Sequence, residues 1–224
     1  MNRKIGLIGV GIVMVFSLAC SLLPGGGDGE GEGGVGGVSG PQALFQDDFS
    51  SSSSGWEVGE YDTGSVGYRD GVYVVSAIQN GSTMWGVANR SFDNIVIEVD
   101  ATQAAAGPES NNDYGVVCRE QEGTGDGYYL LISGDGFASI YKAADGGFEN
   151  LVEWTESDAI RQGNATNHLK AVCNGSRLEL FVNGTSVAST EDSTYTSGDI
   201  ALTATTYEDS PTEIHFDNLA VFAP

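Results

Sequence analysis

His168-Leu169-Lys170-Ala171-Val172-Cys173-Asn174-Gly175-Ser176-Arg177-Leu178-Glu179-Leu180-Phe181-Val182-Asn183-Gly184 holds two alternating runs and two Asn-Gly pairs. Leu169, Ala171 and Cys173 alternate with His168, Lys170 and Val172, and Leu178, Leu180 and Val182 alternate with Glu179 and Phe181. A period of two belongs to β-strands, whose successive side chains point to opposite faces. Asn174-Gly175 between such runs predicts a hairpin, because a type I′ turn needs positive φ at both central positions. Asn183-Gly184 repeats the device before residues 185–188, so this stretch reads as three antiparallel strands in succession.

Working outward, residues 71–77, 95–102, 114–119, 128–133, 137–142, 200–205 and 214–222 read as further short strands, separated by Gly, Asp, Asn or Ser. Thr, Val, Tyr, Phe, Ser and Gly dominate, and long Ala/Leu/Glu/Lys helical patterns are absent. Regular strand spacing without intervening helices predicts an all-β antiparallel sandwich. One helical turn is expected, over 155–162, capped by Thr155 or Ser157.

The first residues read differently. Arg3 and Lys4 precede an apolar run from Ile5 to Phe16, then the small-residue stretch Ser17-Leu18-Ala19 and Cys20. That is the layout of a secretory signal, and the run falls short of the roughly 20 residues a membrane span needs. Phe16-Ser17-Leu18-Ala19-Cys20 resembles a bacterial lipobox, which implies diacylation of Cys20 as the mature N-terminus and an address at the outer face of the membrane. An ordinary signal peptide with an incidental Cys20 is the alternative. Residues 1–19 are thus expected to be the signal, 20–41 a Gly-rich acidic tether, and 42–224 the folded domain. A stretch so rich in Gly cannot bury enough apolar surface to offset its ordering entropy.

The chain has 9 basic and 31 acidic residues, a net charge of −22. Nucleic acid is excluded as a partner, since phosphate recognition needs clustered Lys and Arg. Anionic headgroups would be repelled too, which leaves the lipid as the expected means of membrane residence.

Asp47-Asp48-Phe49-Ser50 with Trp56, Ile97-Glu98-Val99-Asp100-Ala101, Asn112-Asp113-Tyr114-Gly115-Val116-Val117-Cys118-Arg119, Tyr128-Tyr129-Leu130-Leu131-Ile132-Ser133, Leu178-Glu179-Leu180-Phe181-Val182-Asn183-Gly184 and Phe216-Asp217-Asn218 follow one another in this order. Together they resemble a concanavalin A-like lectin/glucanase domain, of the group that includes keto-disaccharide-hydrolase-like and laminin-G-like modules. The resemblance implies a jelly-roll sandwich of two large sheets, one of them concave, with glycans bound or cleaved on the concave face. Its motifs mark strands and turns, and a fold by itself assigns no activity.

With Cys20 given to lipid, Cys118 and Cys173 are the remaining pair, and in an exported domain a disulfide between them is expected. It would contribute about 3 to 4 kcal/mol in the chain-entropy model. Two buried thiols are the alternative. Neither cysteine has neighbours at zinc spacing.

Glu98 and Asp100 share one strand face, as the nucleophile and its auxiliary acid do in retaining sandwich glycosidases. The second catalytic carboxylate such enzymes need has no counterpart, since Ala101, Thr102 and Gln103 follow. His168 and His215, the two histidines, sit on polar strand faces, and no G-x-S-x-G elbow is present. Binding is the better-supported chemistry. Trp85, Tyr114, Tyr128 and Trp154 can stack on sugar rings, Arg119 can donate, and Glu98, Asp100 and Glu120 can accept. For the aromatics, Trp56 included, core packing is the competing role, and for Arg119 a salt bridge. Calcium is the cofactor to consider: pairing of the terminal strands would bring Asp47 and Asp48 beside Asp217 and Asn218. The leading reading is a non-catalytic surface module for carbohydrate or envelope glycan. A glycoside or keto-sugar hydrolase and a structural or protein-binding domain are the alternatives, and no oligomeric state is implied.

Overall fold

The computed structural model describes residues 42–224. The expected signal, the lipidation at Cys20 and the tether lie outside the described residues. The chain forms fifteen strands: β1 (Phe45–Asp47), β2 (Gly59–Tyr61), β3 (Gly64–Arg69), β4 (Val72–Ala77), β5 (Ser82–Val87), β6 (Ile95–Ala105), β7 (Asn112–Glu120), β8 (Gly127–Ser133), β9 (Phe137–Ala144), β10 (Gly147–Glu156), β11 (Thr166–Asn174), β12 (Arg177–Val182), β13 (Thr185–Glu191), β14 (Asp199–Thr206) and β15 (Thr212–Phe222). A single 3₁₀ turn, Ser52–Ser54, is the helical structure among the described residues.

Two antiparallel sheets result. The larger has nine strands in the order β13-β12-β11-β6-β15-β4-β3-β2, with β1 added beside β15. The smaller has six, in the order β10-β9-β8-β7-β14-β5. β15 pairs with β4 along its first half, through Phe216↔Tyr73. Beyond that point β1 takes over, with Phe45↔Val221 and Asp47↔Leu219, so the two terminal strands are neighbours as expected.

Alternation sets the core. β6 turns Ile95, Ile97, Val99 and Ala101 inward, where they meet Leu169 and Ala171 of β11 and Tyr114, Val116, Leu130 and Leu202 of the opposite sheet. Cys118 of β7 and Cys173 of β11 are joined across this interior. The disulfide therefore ties one sheet to the other and closes a sequence separation of 55 residues. Phe49, Trp56, Tyr68 and Tyr73 form an aromatic cluster at one end, Phe49 and Trp56 edge to face at 5.6 Å and Trp56 and Tyr73 tilted at 5.1 Å between centroids. Trp56 is thus a core filler.

Two local expectations change. At Asn183-Gly184 both residues have positive φ, 50° and 85°, as a type I′ turn requires. At Asn174-Gly175 the ladder runs one pair further, to Asn174↔Arg177, which makes Gly175 and Ser176 the central pair. Positive φ then falls on Gly175 alone, the pattern a type II′ turn uses. The expected helical turn over 155–162 does not form. β10 continues through Glu156, and Ser157 then accepts from Ala159 N at 3.3 Å and Ile160 N at 3.1 Å. The turn stops there because Asn167 Oδ1 takes the Arg161 N–H at 2.9 Å.

Candidate functional site

The outer face of the six-stranded sheet gathers polar and aromatic side chains in three cross-strand rungs. Thr83, Thr205, Asp113 and Ser133 stand side by side on β5, β14, β7 and β8. The next rung holds Trp85, Thr203, Gly115, Leu131 and Ser139, and the third Val87, Ala201, Val117, Tyr129 and Tyr141. Polarity therefore grades along the strands, from a hydroxyl and carboxylate rung to an apolar one. Gly115 lies between them, and a Cβ there would sit 2.3 Å from the Leu130 carbonyl oxygen. Close approach of β8 admits only glycine, so β7 places no side chain on the outer face between Asp113 and Val117.

Clefts flank these rungs. One of about 490 Å³ is lined by Glu57, Tyr61, Thr83, Trp85 and Asn89 among others. Glu57 is fixed there, accepting from the Tyr61 hydroxyl and, at 3.4 Å, from Val87 N. A second, of about 280 Å³, is lined by Asn111, Ser133, Asp135, Phe137, Trp154 and Tyr207. Beside the first, Trp85 and Phe148 border a small hollow whose lining includes Tyr129. Tyr129 stacks on Tyr141 at 4.7 Å, and Phe148 of edge strand β10 stands on that pair while remaining 66% exposed.

Asp113 is the buried acid of this face, 1% exposed. Tyr207 donates to its Oδ2 at 2.8 Å, whereas Oδ1 is buried without a partner. Burial pushes the carboxyl up to about 6, against the lowering influence of the Thr205 and Tyr207 hydroxyls. The same burial, with the nearby Asp113 charge, drives the phenols of Tyr141 and Tyr207 upward.

The residues singled out from sequence separate into three groups. Trp85 and Trp154 belong to the clefts just described. Glu98 and Asp100 lie on the outer face of the nine-stranded sheet, away from the clefts. There Asp100 bonds His168 Nδ1 at 2.8 Å and Asn218 Nδ2 at 3.0 Å, and Glu98 faces Lys170 at 3.6 Å. That face is a solvated ion-pair network.

Tyr114, Arg119 and Tyr128, expected as surface ligand contacts, are interior. Tyr114 and Tyr128 alternate into the core with Val116 and Leu130, and Tyr128 donates to Asp192 at 2.5 Å. Burial works against the Asp192 carboxylate, but bonds from Tyr128, Thr194 and Lys142 prevail and hold it well below the usual range. Arg119 is 1% exposed and donates to the carbonyls of Asp93, Gly175 and Tyr195 and to Asn94 Oδ1. It clamps three loops through three backbone carbonyls and one side-chain amide oxygen, so it is neither a surface ligand contact nor, as the competing reading had it, salt-bridged to a carboxylate. Glu120, equally buried, accepts from Gly123 N and Gly125 N at 2.9 Å and shapes the β7–β8 loop.

At the paired termini, Gln46, Asp47, Asp48, Asn218, Leu219 and Ala220 line a hollow of about 470 Å³. Asp47 Oδ1 accepts from Phe49 N at 2.8 Å, and its Oδ2 is buried and unpartnered. Asp48 is engaged by Ser50, whose bonds lower its pKa. Asp217 lies outside that lining and accepts from Asn218 N at 2.7 Å. Among the described residues no group of three or more His, Cys, Asp or Glu side chains could hold a metal ion.

The sequence reading missed Asp113, Tyr207, Glu57 and Phe148. For Asp113 a signal was present: it is the one acid in the apolar run 113–118.

No curated protein matches the chain in sequence. Solved structures do match in fold. The carbohydrate-binding module CBM66 from Bacillus subtilis superposes with a TM-score of 0.62 at 17% identity, covering 76% of this chain and 96% of that one. A β-glucanase from Bacillus licheniformis gives 0.59 at 11%, covering 84% and 99%. A galectin-like protein of unknown function from Bacillus subtilis gives 0.58 at 15%, covering 82% and 97%. These likenesses are of the sandwich itself. The family model that matches spans residues 40–221, nearly the whole described domain, and the chain belongs to the 3-keto-alpha-glucoside-1,2-lyase-like domain family.

Proposed function

We propose that the domain is a surface module that binds neutral carbohydrate across the outer face of the six-stranded sheet. The observation that carries this is the placement of Trp85 and Trp154 on one face, each bordering a cleft that also offers a carboxylate, an amide and a tyrosine. Indole rings stack on the C–H faces of sugars, while carboxylates and amides fix the hydroxyls. Net charge of −22 selects against anionic glycans. The sugar-binding and glycan-acting descriptions of fold neighbours are consistent with this surface. Binding without catalysis is the reading we favour, because Glu98 and Asp100 stand on the other sheet.

The test is a glycan array followed by calorimetry with maltotetraose and laminaritetraose. Trp85→Ala or Trp154→Ala should weaken binding at least tenfold with an unchanged urea midpoint. An array without hits, extended to envelope polysaccharides, would overturn the proposal.

Two subsidiary proposals concern placement and the paired termini. Export with acylation at Cys20 predicts an acylated N-terminus by mass measurement and precursor accumulation under globomycin; a mature chain without acyl mass refutes it. The hollow at Asp47 fits a hard cation, since Oδ2 is orphaned there, with Asp48 and Asn218 at hand. Millimolar calcium should raise the melting temperature and a chelator reverse it, whereas equal melts would refute the site.

A further inference from the structure

Asp113 is a carboxylate that the fold buries at a cost and leaves half satisfied. Oδ2 has the Tyr207 hydroxyl, and Oδ1 makes no hydrogen bond although Thr205 stands beside Asp113. A buried polar atom without a partner is destabilising, so a sequence that keeps it either tolerates the loss or uses the atom. Its surroundings favour use. Asp113 lies in the hydroxyl rung between Thr205 and Ser133. Both Ser133 and Tyr207 line the Trp154 cleft. The adjoining position on the same strand face is Gly115, which puts no side chain over it. Of the tyrosines whose ionisation senses Asp113, Tyr129 and Tyr141 are locked in a buried stack, whereas Tyr207 is 44% exposed at the end of β14. Tyr207 is the one of the three with room to turn aside.

We infer that Asp113 is the concealed specificity-determining contact of the Trp154 cleft, its free Oδ1 accepting a sugar hydroxyl when Tyr207 yields. This rests on the carbohydrate reading above and deepens it by naming the recognition group. The ionised carboxylate is the stronger acceptor, so the ligand takes the place of missing hydration and favours the charged form. Affinity therefore rises with pH through the Asp113 transition.

The charged neighbours are few. Asp135 is held by Ser133, Glu208 by the N–H groups of Glu109 and Asn111, and the phenols of Tyr129, Tyr141 and Tyr207 titrate far above neutrality. Both histidines of the chain, His168 and His215, are on the nine-stranded sheet. A binding transition near pH 6 on this face thus reports Asp113.

The experiment is calorimetry between pH 4.5 and 8 with the tighter-binding of maltotetraose and laminaritetraose, on the full protein and on Asp113→Asn and Tyr207→Phe. Expected is a five- to twentyfold gain in affinity for the parent across that range. Asp113→Asn should bind weakly with a flat profile. Tyr207→Phe keeps the ring but removes the hydroxyl that stabilises the carboxylate, so its midpoint should move to higher pH. Urea midpoints measured alongside separate folding from binding. Strong binding by the parent with the same pH profile in all three proteins overturns the role of Asp113 alone. Absence of binding by every protein at every pH overturns the carbohydrate reading as well.

Discussion

Asp113 also makes a claim on stability that needs no ligand. Its carboxyl is raised from 3.8 to about 6 by burial. A group whose folded pKa lies above its unfolded value binds protons more readily when folded, so it stabilises at low pH. That contribution is lost as pH rises from about 4 through about 6. The upper bound is about 3 kcal/mol, at 1.36 kcal/mol per pKa unit. Urea unfolding at pH 4.5, 6 and 8 should find Asp113→Asn gaining on the parent as pH rises, by up to about 3 kcal/mol. A difference independent of pH would refute the raised pKa. Arg119 presents the opposite economy: a buried cation whose stabilisation comes from four oxygens on distant loops. Neither residue's role could be read from its neighbours in sequence. Three of the four partners of Arg119 are backbone carbonyls, which carry no side-chain signature, and those of Asp113 come from segments far along the chain.

At the scale of elements, the hairpins were legible face by face, whereas the central strands were legible as strands but not in the face each residue takes. β11, β12 and β13 have one face in the core and one toward solvent, so alternation declares them. Their two turns differ in how much they ask of glycine. Gly184 has φ 85° and Gly175 φ 58°, both in the region where a Cβ is disfavoured. Gly184→Ala and Gly175→Ala should each cost about 1 kcal/mol in urea melts. Asn183→Ala should add a penalty that Asn174→Ala lacks, because only Asn183 has positive φ and its side chain also bonds His168 N, the Ala159 carbonyl and Asn167 Oδ1. Equal effects of the two asparagine substitutions would refute the assigned turn geometries. By contrast, β7 and β8 are buried on both faces throughout. Alternation vanishes there, and nothing in Tyr128-Tyr129 says which ring enters the core and which stacks on Tyr141. β10 escaped detection for the converse reason. It is an edge strand, mostly exposed, with two register irregularities, so its pattern is neither alternating nor apolar.

For the whole molecule the decisive covalent feature is the Cys118–Cys173 bridge between β7 and β11, one in each sheet. Because it spans the interior, its removal loosens the packing of one sheet on the other as well as freeing the unfolded chain. Reduction, or Cys118→Ser with Cys173→Ser, should lower stability by about 3 to 4 kcal/mol in the chain-entropy model, read as a fall in urea midpoint. Two titratable thiols in denaturant without reductant would refute the bridge. The all-β antiparallel class followed from local information, namely strand periodicity, Asn-Gly turns and the scarcity of helix formers, while the jelly-roll arrangement followed from the family resemblance. The face that carries the candidate site did not. Thr83 and Thr205, whose hydroxyls meet at 2.9 Å, are 122 residues apart, and Asp113 stands between Thr205 and Ser133 only because of the strand order β5-β14-β7-β8. Alternation states which residues of a strand share a face. Which face becomes the sandwich interior, and which strands lie side by side across the other, is settled only when both sheets pack.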